Sequence, residues 1–165
     1  MGTPSNGDII FVMAFLGDTP SDTGELRQHV TFLARTEIHT THSQSLTSFL
    51  EDVGNMVSSW DSFDLEISGQ HFFGSNHDIP VLSCLDSEGK AQEVHQRLLE
   101  LAEAHGFTQQ QPEYTRHDYR PHITVPSAGV PFTAGTNVHV DNLTVSRHIG
   151  GYGGPTETVA TFYLN

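Results

Sequence analysis

Arg120-Pro121-His122-Ile123-Thr124-Val125 is the stretch that decides how the chain is read, because an earlier stretch repeats its form. That earlier stretch is Arg27-Gln28-His29-Val30-Thr31-Phe32. Both follow R-x-H-φ-T-φ, where φ is apolar. Successive side chains of a strand point to opposite faces. If each stretch is a strand, Arg, His and Thr share one face while Val30 and Phe32, or Ile123 and Val125, enter the core. With 11 histidines in the chain, roughly 0.1–0.2 matches to H-φ-T-φ are expected by chance, so two matches point to a built feature.

Working outward from the two stretches, the remaining elements fall into place. Residues 9–16 (IIFVMAFL) form a continuous apolar run and read as a buried strand, with Phe11 and Phe15 in the core. Residues 17–24 are loop chemistry, and 28–34 are the first motif strand. Between 43 and 60, Leu46, Phe49, Leu50, Val53, Met56 and Val57 recur at helical spacing, with Thr41 or Ser43 as caps. Residues 63–67 alternate like a half-exposed strand, and 79–85 form another. A second helix spans 88–105 and stops at Gly106. Strands follow at 120–125, 138–147 and 158–164, the last two separated by the glycine-rich HIGGYGGP. The order β-β-α-β-β-α-β-β-β predicts an α+β domain over 1–165, with two similar lobes.

The paired motifs resemble those of the two-histidine (2H) phosphoesterase superfamily, which includes RNA-ligase-like proteins and cyclic nucleotide phosphodiesterases. Its hallmark is a His-x-Ser/Thr motif in each of two pseudo-symmetric lobes. HVTF and HITV match it, and RPHITV carries the usual Pro-His entry to the second motif. The resemblance implies a two-lobed fold of antiparallel sheets flanked by helices, with a central cleft. It implies that His29 and His122 face each other there as acid and base, while Thr31 and Thr124 donate hydroxyl hydrogen bonds to phosphate oxygens. It implies no cofactor and no metal. Histidine suits either role because its ordinary pKa of about 6.5 allows both protonation states near neutrality.

Strand alternation adds Arg27 and Arg120 to the cleft face as partners for an anionic phosphate. The other reading makes them rim arginines paired with carboxylates. Phe11 and Phe15 of the first strand, Tyr119, beside the second motif, and Tyr152, in the glycine loop, are candidates to stack a nucleobase, with the two phenylalanines reading more readily as core. Tyr152 is the more interesting, since an aromatic on a glycine loop suits a lid better than a core.

Other features read more plainly. His39-Thr40-Thr41-His42 is a loop and cap, or a rival first motif, or half of a zinc site joined by His71 or His77. Asp8, Asp18 and Glu157 are carboxylates without paired spacing.

The net charge of −13, from 20 acidic and 7 basic residues, opposes the phosphate neutralisation that holds long nucleic acids. No apolar run approaches the roughly 20 residues of a membrane span. The start MGTPSNGD carries neither a secretory pattern nor a myristoylation signal, and Cys84 is the lone cysteine, so a cytoplasmic setting is expected.

The expected substrate is therefore a small nucleotide phosphodiester: a cyclic mono- or oligonucleotide signal, a 2′,3′-cyclic phosphate or a cyclic phosphate of ADP-ribose. A phage-type degrader of host defence signals is one role of this kind. The alternatives are an RNA 2′,3′-cyclic-end processing enzyme and a non-catalytic nucleotide-binding module. The sequence leaves open the oligomeric state and which histidine is the base.

Overall fold

The structure is a computed structural model and describes residues 7–16, 28–38, 43–73, 76, 79–111, 115–124 and 133–165. The elements run β1 (Ile9–Phe15), β2 (His29–Glu37), α1 (Ser43–Val57), β3 (Phe63–Phe73), β4 (Ile79–Leu85), α2 (Lys90–Ala104), β5 (Thr108–Gln109), β6 (His122–Thr124), β7 (Asn137–Val140), β8 (Asn142–His148) and β9 (Thr156–Tyr163). The strands build one antiparallel sheet in the order β7-β3-β4-β6-β2-β1-β8-β9, with β5 added to β2. The two motif strands, β2 and β6, are neighbours at its centre. This is the α+β arrangement expected, with the two lobes meeting between the motif strands.

The sheet is curled, and its connectivity shows why. β7 and β8 lie toward opposite ends of the strand order, yet only Asp141 separates them in the chain. The two Cα steps from Val140 to Asn142 span about 7 Å at most, so the sheet bends until its far ends approach. The seam is held by backbone bonds: Leu164 N–H to the Asp141 carbonyl (2.9 Å), Ser62 N–H to that of Asn165 (3.0 Å) and Asn165 N–H to that of Trp60 (3.0 Å). The sequence reading of 138–147 as one strand is corrected here. Val138 and Val140 are buried, and so are Leu143 and Val145, so the spacing slips from two to three across Asp141. A single strand cannot make that slip without turning one pair out of the core.

Helices cover one face of the sheet. Phe49, Val53 and Val57 of α1 and Val94, Leu98 and Leu99 of α2 pack with Val12, Val30, Phe32, Leu82 and Ile123 of the strands. Each such side chain contributes roughly 1.5–3 kcal/mol on burial. The Asp86 carboxylate caps α2, accepting N–H bonds from Ala91 (3.0 Å) and Gln92 (2.9 Å). Gly106, at φ 76°, ends it, as a left-handed terminator does. With the helices on one face, the other face is left concave and carries the motif histidines. No helix among the described residues is long and apolar enough to cross a membrane.

Candidate active site

The site follows from one register. β2 and β6 pair antiparallel with Val30 opposite Ile123, and both of these residues are fully buried. One step outward, position 29 lies across from 124, and position 31 across from 122. His29 and His122 are thus diagonal neighbours on the face opposite Val30 and Ile123. Diagonal cross-strand neighbours have Cα atoms roughly 7–8 Å apart, within reach of long side chains. Two imidazoles on such a diagonal can approach a group the size of a phosphate from two sides. The threonines hold the other diagonal. Thr31 is half-buried beside His29, whereas Thr124 is described for its backbone alone, paired with Val81.

Each histidine has a distinct setting. His29 meets the ring of Phe15, its partner across β1, edge-on at 6.0 Å between centroids. His122 Nδ1 lies 2.8 Å from the Arg120 carbonyl, so Nδ1–H donates and Nε2 faces away from that backbone. Burial lowers the His122 pKa below the ordinary value; the carbonyl bond opposes this, and the charge of nearby His29 adds to it. His122 therefore favours its neutral form at neutral pH, with Nε2 as acceptor.

A buried layer supports β2 from the helix side. Tyr119 O–H donates to the Thr31 carbonyl (2.9 Å), and its ring stacks flat on His95 of α2 at 4.2 Å and 4°. His95 Nδ1–H donates to the Phe32 carbonyl (2.8 Å), and its Nε2 accepts the Arg116 N–H (2.9 Å). Gln109 donates to the Ala34 carbonyl (2.8 Å). These bonds fill the stretch of β2 between its pairings with β6 and β5, where backbone carbonyls would otherwise be orphaned. Tyr119 is thus packed behind the strand and is not brought to the concave face with the histidines.

The remaining sequence candidates are dispersed. Arg27, Asp18, His39, His42 and His77 lie outside the described residues. Arg120 is exposed, and its backbone carbonyl orients His122. His71 is exposed on β3. Among the described residues no group of three or more His, Cys, Asp or Glu could hold a metal ion. Asp8 is buried and forms an ion pair with Arg147, and Glu157 is exposed on β9. Tyr152 is 61% exposed and covered on one side by Arg35, whose guanidinium carbon lies 3.7 Å from the ring centroid.

Phe11 and Phe15, expected in the core, are half-buried on the concave face. A continuous apolar run does not say which alternate residues face which way. Arg35 was missed by the sequence reading. β2 runs to Glu37 rather than stopping at Ala34, and register shifts against β1 near Val12 displace its alternation twice. Phe32 and Leu33 both enter the core as a result, and Arg35 returns to the concave side.

This fold and its central pair of His-x-Thr strands define a 2H phosphoesterase architecture. The structure resembles a crystal structure described only as a phosphoesterase (TM-score 0.66, 14% identity, covering 96% of this chain and 99% of that one). It also resembles Escherichia coli LigT complexed with 3′-AMP (TM-score 0.64, 14% identity, 96% and 98% covered). A third likeness is TT0787 of Thermus thermophilus (TM-score 0.63, 14% identity, 94% and 97% covered). A comparison with curated proteins gives no match. Residues 18–131 match the 2′-5′ RNA ligase superfamily, and the chain belongs to that family. Membership supports a phosphoesterase-type activity.

Proposed function

We propose that this protein is a phosphodiesterase acting on a small nucleotide phosphodiester, with His29 and His122 as its acid–base pair. The observation that carries this reading is the Val30–Ile123 pairing, which sets the two His-x-Thr segments side by side on one concave face. In the reaction, an oxygen from water or a ribose hydroxyl bonds to phosphorus as the bond to the leaving oxygen breaks. One imidazole takes the attacker's proton and the other gives a proton to the leaving oxygen. We assign His122, whose neutral form is favoured, as the base and His29 as the acid. Thr31 and Thr124 hydrogen-bond the phosphate oxygens and hold them for in-line attack. Substrates of this class include cyclic mono- and oligonucleotide signals, and a phage-type role against host signalling belongs with them.

An RNA 2′,3′-cyclic-end processing role is the second reading, favoured by the superfamily itself. The net charge of −13 weighs against long RNA, because that surface repels its phosphates. A non-catalytic binding module would not require two titrating groups.

The test is turnover of cyclic mono-, di- and trinucleotides and of 2′,3′-cyclic-ended RNA, with EDTA present, beside His29→Ala and His122→Ala. No step above needs a metal. Chelator-resistant turnover abolished by both substitutions is the expected result, and turnover that survives either one overturns the assignment.

A further inference from the structure

His29 rests against the last ring of β1. It meets Phe15 edge-on, and the two residues are cross-strand partners. Next to them, Leu16 N–H donates to the Gln28 carbonyl (2.9 Å), so the bonded pair there is Leu16 with Gln28. Bonded and non-bonded pairs alternate along an antiparallel ladder. The N–H and C=O of Phe15 therefore point away from β2, toward β8. On that side they are met by a side chain instead of a main chain.

The β1–β8 ladder runs from Ile9 opposite His148 to Met13 opposite Thr144. Two residues farther it would set Phe15 opposite Asn142. The main chain of β8 is diverging there, because Asp141 alone separates it from β7. Asn142 completes the pair with its carboxamide. Its Oδ1 accepts the Phe15 N–H (3.1 Å), and its Nδ2–H donates to the Phe15 carbonyl (2.9 Å). A carboxamide carries the same donor and acceptor as a peptide, so it extends the ladder by one pair. The amide is itself held. Thr144 O–H donates to Oδ1 (3.0 Å), and the second Nδ2–H donates to the Asp141 carboxylate (2.9 Å). Both donors and both lone pairs of the amide are thus used, in a residue that is 7% exposed.

This arrangement is specific to asparagine. An ionised aspartate accepts but cannot donate, and would turn a carboxylate oxygen against the Phe15 carbonyl in a buried place. Leucine has a similar shape but would strand both backbone groups of Phe15. Glutamine carries its amide one methylene too far. The sheet needs the bend at Asp141, and the bend removes the main chain that would have held Phe15. The Asn142 amide restores that hold at the end of β1 where the ring touches His29.

We infer that Asn142 is a positioning residue for the reaction: its amide fixes the end of β1, and with it the Phe15 ring that sets the orientation of the His29 imidazole. This rests on the acid–base reading of His29 and His122. A general acid must aim its N–H at the leaving oxygen, and a misplacement of about 1 Å can cost about a hundredfold in rate. Asn142 stands two strands away from His29 in the order β2-β1-β8, so it acts on the rate through Phe15.

The test measures kcat and KM in the wild type, Asn142→Asp, Phe15→Ala and the double variant, on whichever phosphodiester the wild type turns over. The histidine Cε1–H signals are followed by NMR in the same proteins, with that of His29 assigned by its loss in His29→Ala. Val57→Ala, which trims the core under α1, controls for lost stability. We expect Asn142→Asp to lower kcat by about ten- to a hundredfold with KM little changed. The His29 signal should move while that of His95 stays, and Val57→Ala should keep the wild-type kcat. Added to Phe15→Ala, Asn142→Asp should cost less than about threefold more, because the two act on one path. A folded Asn142→Asp protein with the wild-type kcat, an unmoved His29 signal, or losses that multiply in the double variant overturns the inference. So does a Val57→Ala loss as large as that of Asn142→Asp. Should Asn142→Asp not fold, Thr144→Val keeps the shape and frees the amide to turn; a moved His29 signal then supports the inference and an unmoved one overturns it. Turnover that survives His29→Ala defeats the acid–base reading instead, and the His29 signal in Asn142→Asp still decides whether Asn142 places that ring.

Discussion

His122 and His95 begin alike and end differently. Each donates Nδ1–H to a backbone carbonyl at 2.8 Å, Arg120 for one and Phe32 for the other. Each has its pKa lowered, with burial as the largest cause. The second nitrogen separates them. In His95 it accepts the Arg116 N–H inside the protein, so both ring nitrogens serve the fold. In His122 it lies on the side of the ring away from the Arg120 carbonyl, and His29 is close enough for its charge to lower the pKa of the ring. A low pKa and a fixed tautomer therefore do not make a histidine chemical. What matters is where the second nitrogen points.

That contrast breaks most decisively by substitution. His122→Ala and His29→Ala should each cost about 10²–10⁴-fold in kcat on whichever phosphodiester the wild type cleaves, with little change in Tm. His95→Ala should do the reverse. It strands the Phe32 carbonyl and the Arg116 N–H and leaves a cavity beside Tyr119, for a loss of about 2–4 kcal/mol. In a domain of this size that is a fall in Tm of roughly 4–16 °C, read by circular dichroism. A His95 variant that melts like the wild type would erase the distinction.

Acidity sharpens the same comparison. Both pKa values lie below that of an unfolded histidine, about 6.5, so the unfolded chain takes up protons first as pH falls. Stability is therefore full above about pH 6.5 and declines below it, and Tm measured from pH 8 to pH 5 should fall across that range. For activity, His122 must be neutral to accept a proton. The acidic limb of kcat/KM should then lie below the free-histidine value, and a limb above pH 6.5 would contradict the setting described for His122. A smaller effect is expected from Tyr119→Phe, which removes the bond to the Thr31 carbonyl and should cost about 1–2 kcal/mol in urea unfolding. Smallest of all is the response of Cys84. Its thiol is buried and pushed up to about 12, so thiol reagents at pH 8 should label it only after unfolding.

The histidine strands were legible because alternation is a local property: His29 with Thr31, and His122 with Thr124, needed only a period of two. The strand at Ile79–Leu85 and the frame of α2 were legible for similar reasons, an apolar run in one case and a left-handed glycine stop in the other. What escaped depends on partners distant in the chain. The break at Asp141 shows in sequence only as a slip from Val140 to Leu143, and β5 is two residues long. The register shifts against β1 turn Leu33 into the core, and Arg35, which shares the parity of His29 and Thr31, lies past Ala34, where the apolar pattern of the strand ends. Tyr119 was placed beside its motif by sequence neighbourhood, yet the stack on His95 is set by a helix more than twenty residues earlier.

The single residue at Asp141 has one more consequence. By drawing the two rims of the sheet together, it denies them the freedom to splay. Any change of curvature must then be taken up within the sheet, where, among the described residues, β2 and β6 meet through the pairing of Val30 with Ile123. The molecule is thus clasped at its back, and the curvature that presents its two imidazoles is set by the connectivity of the chain rather than by any side chain.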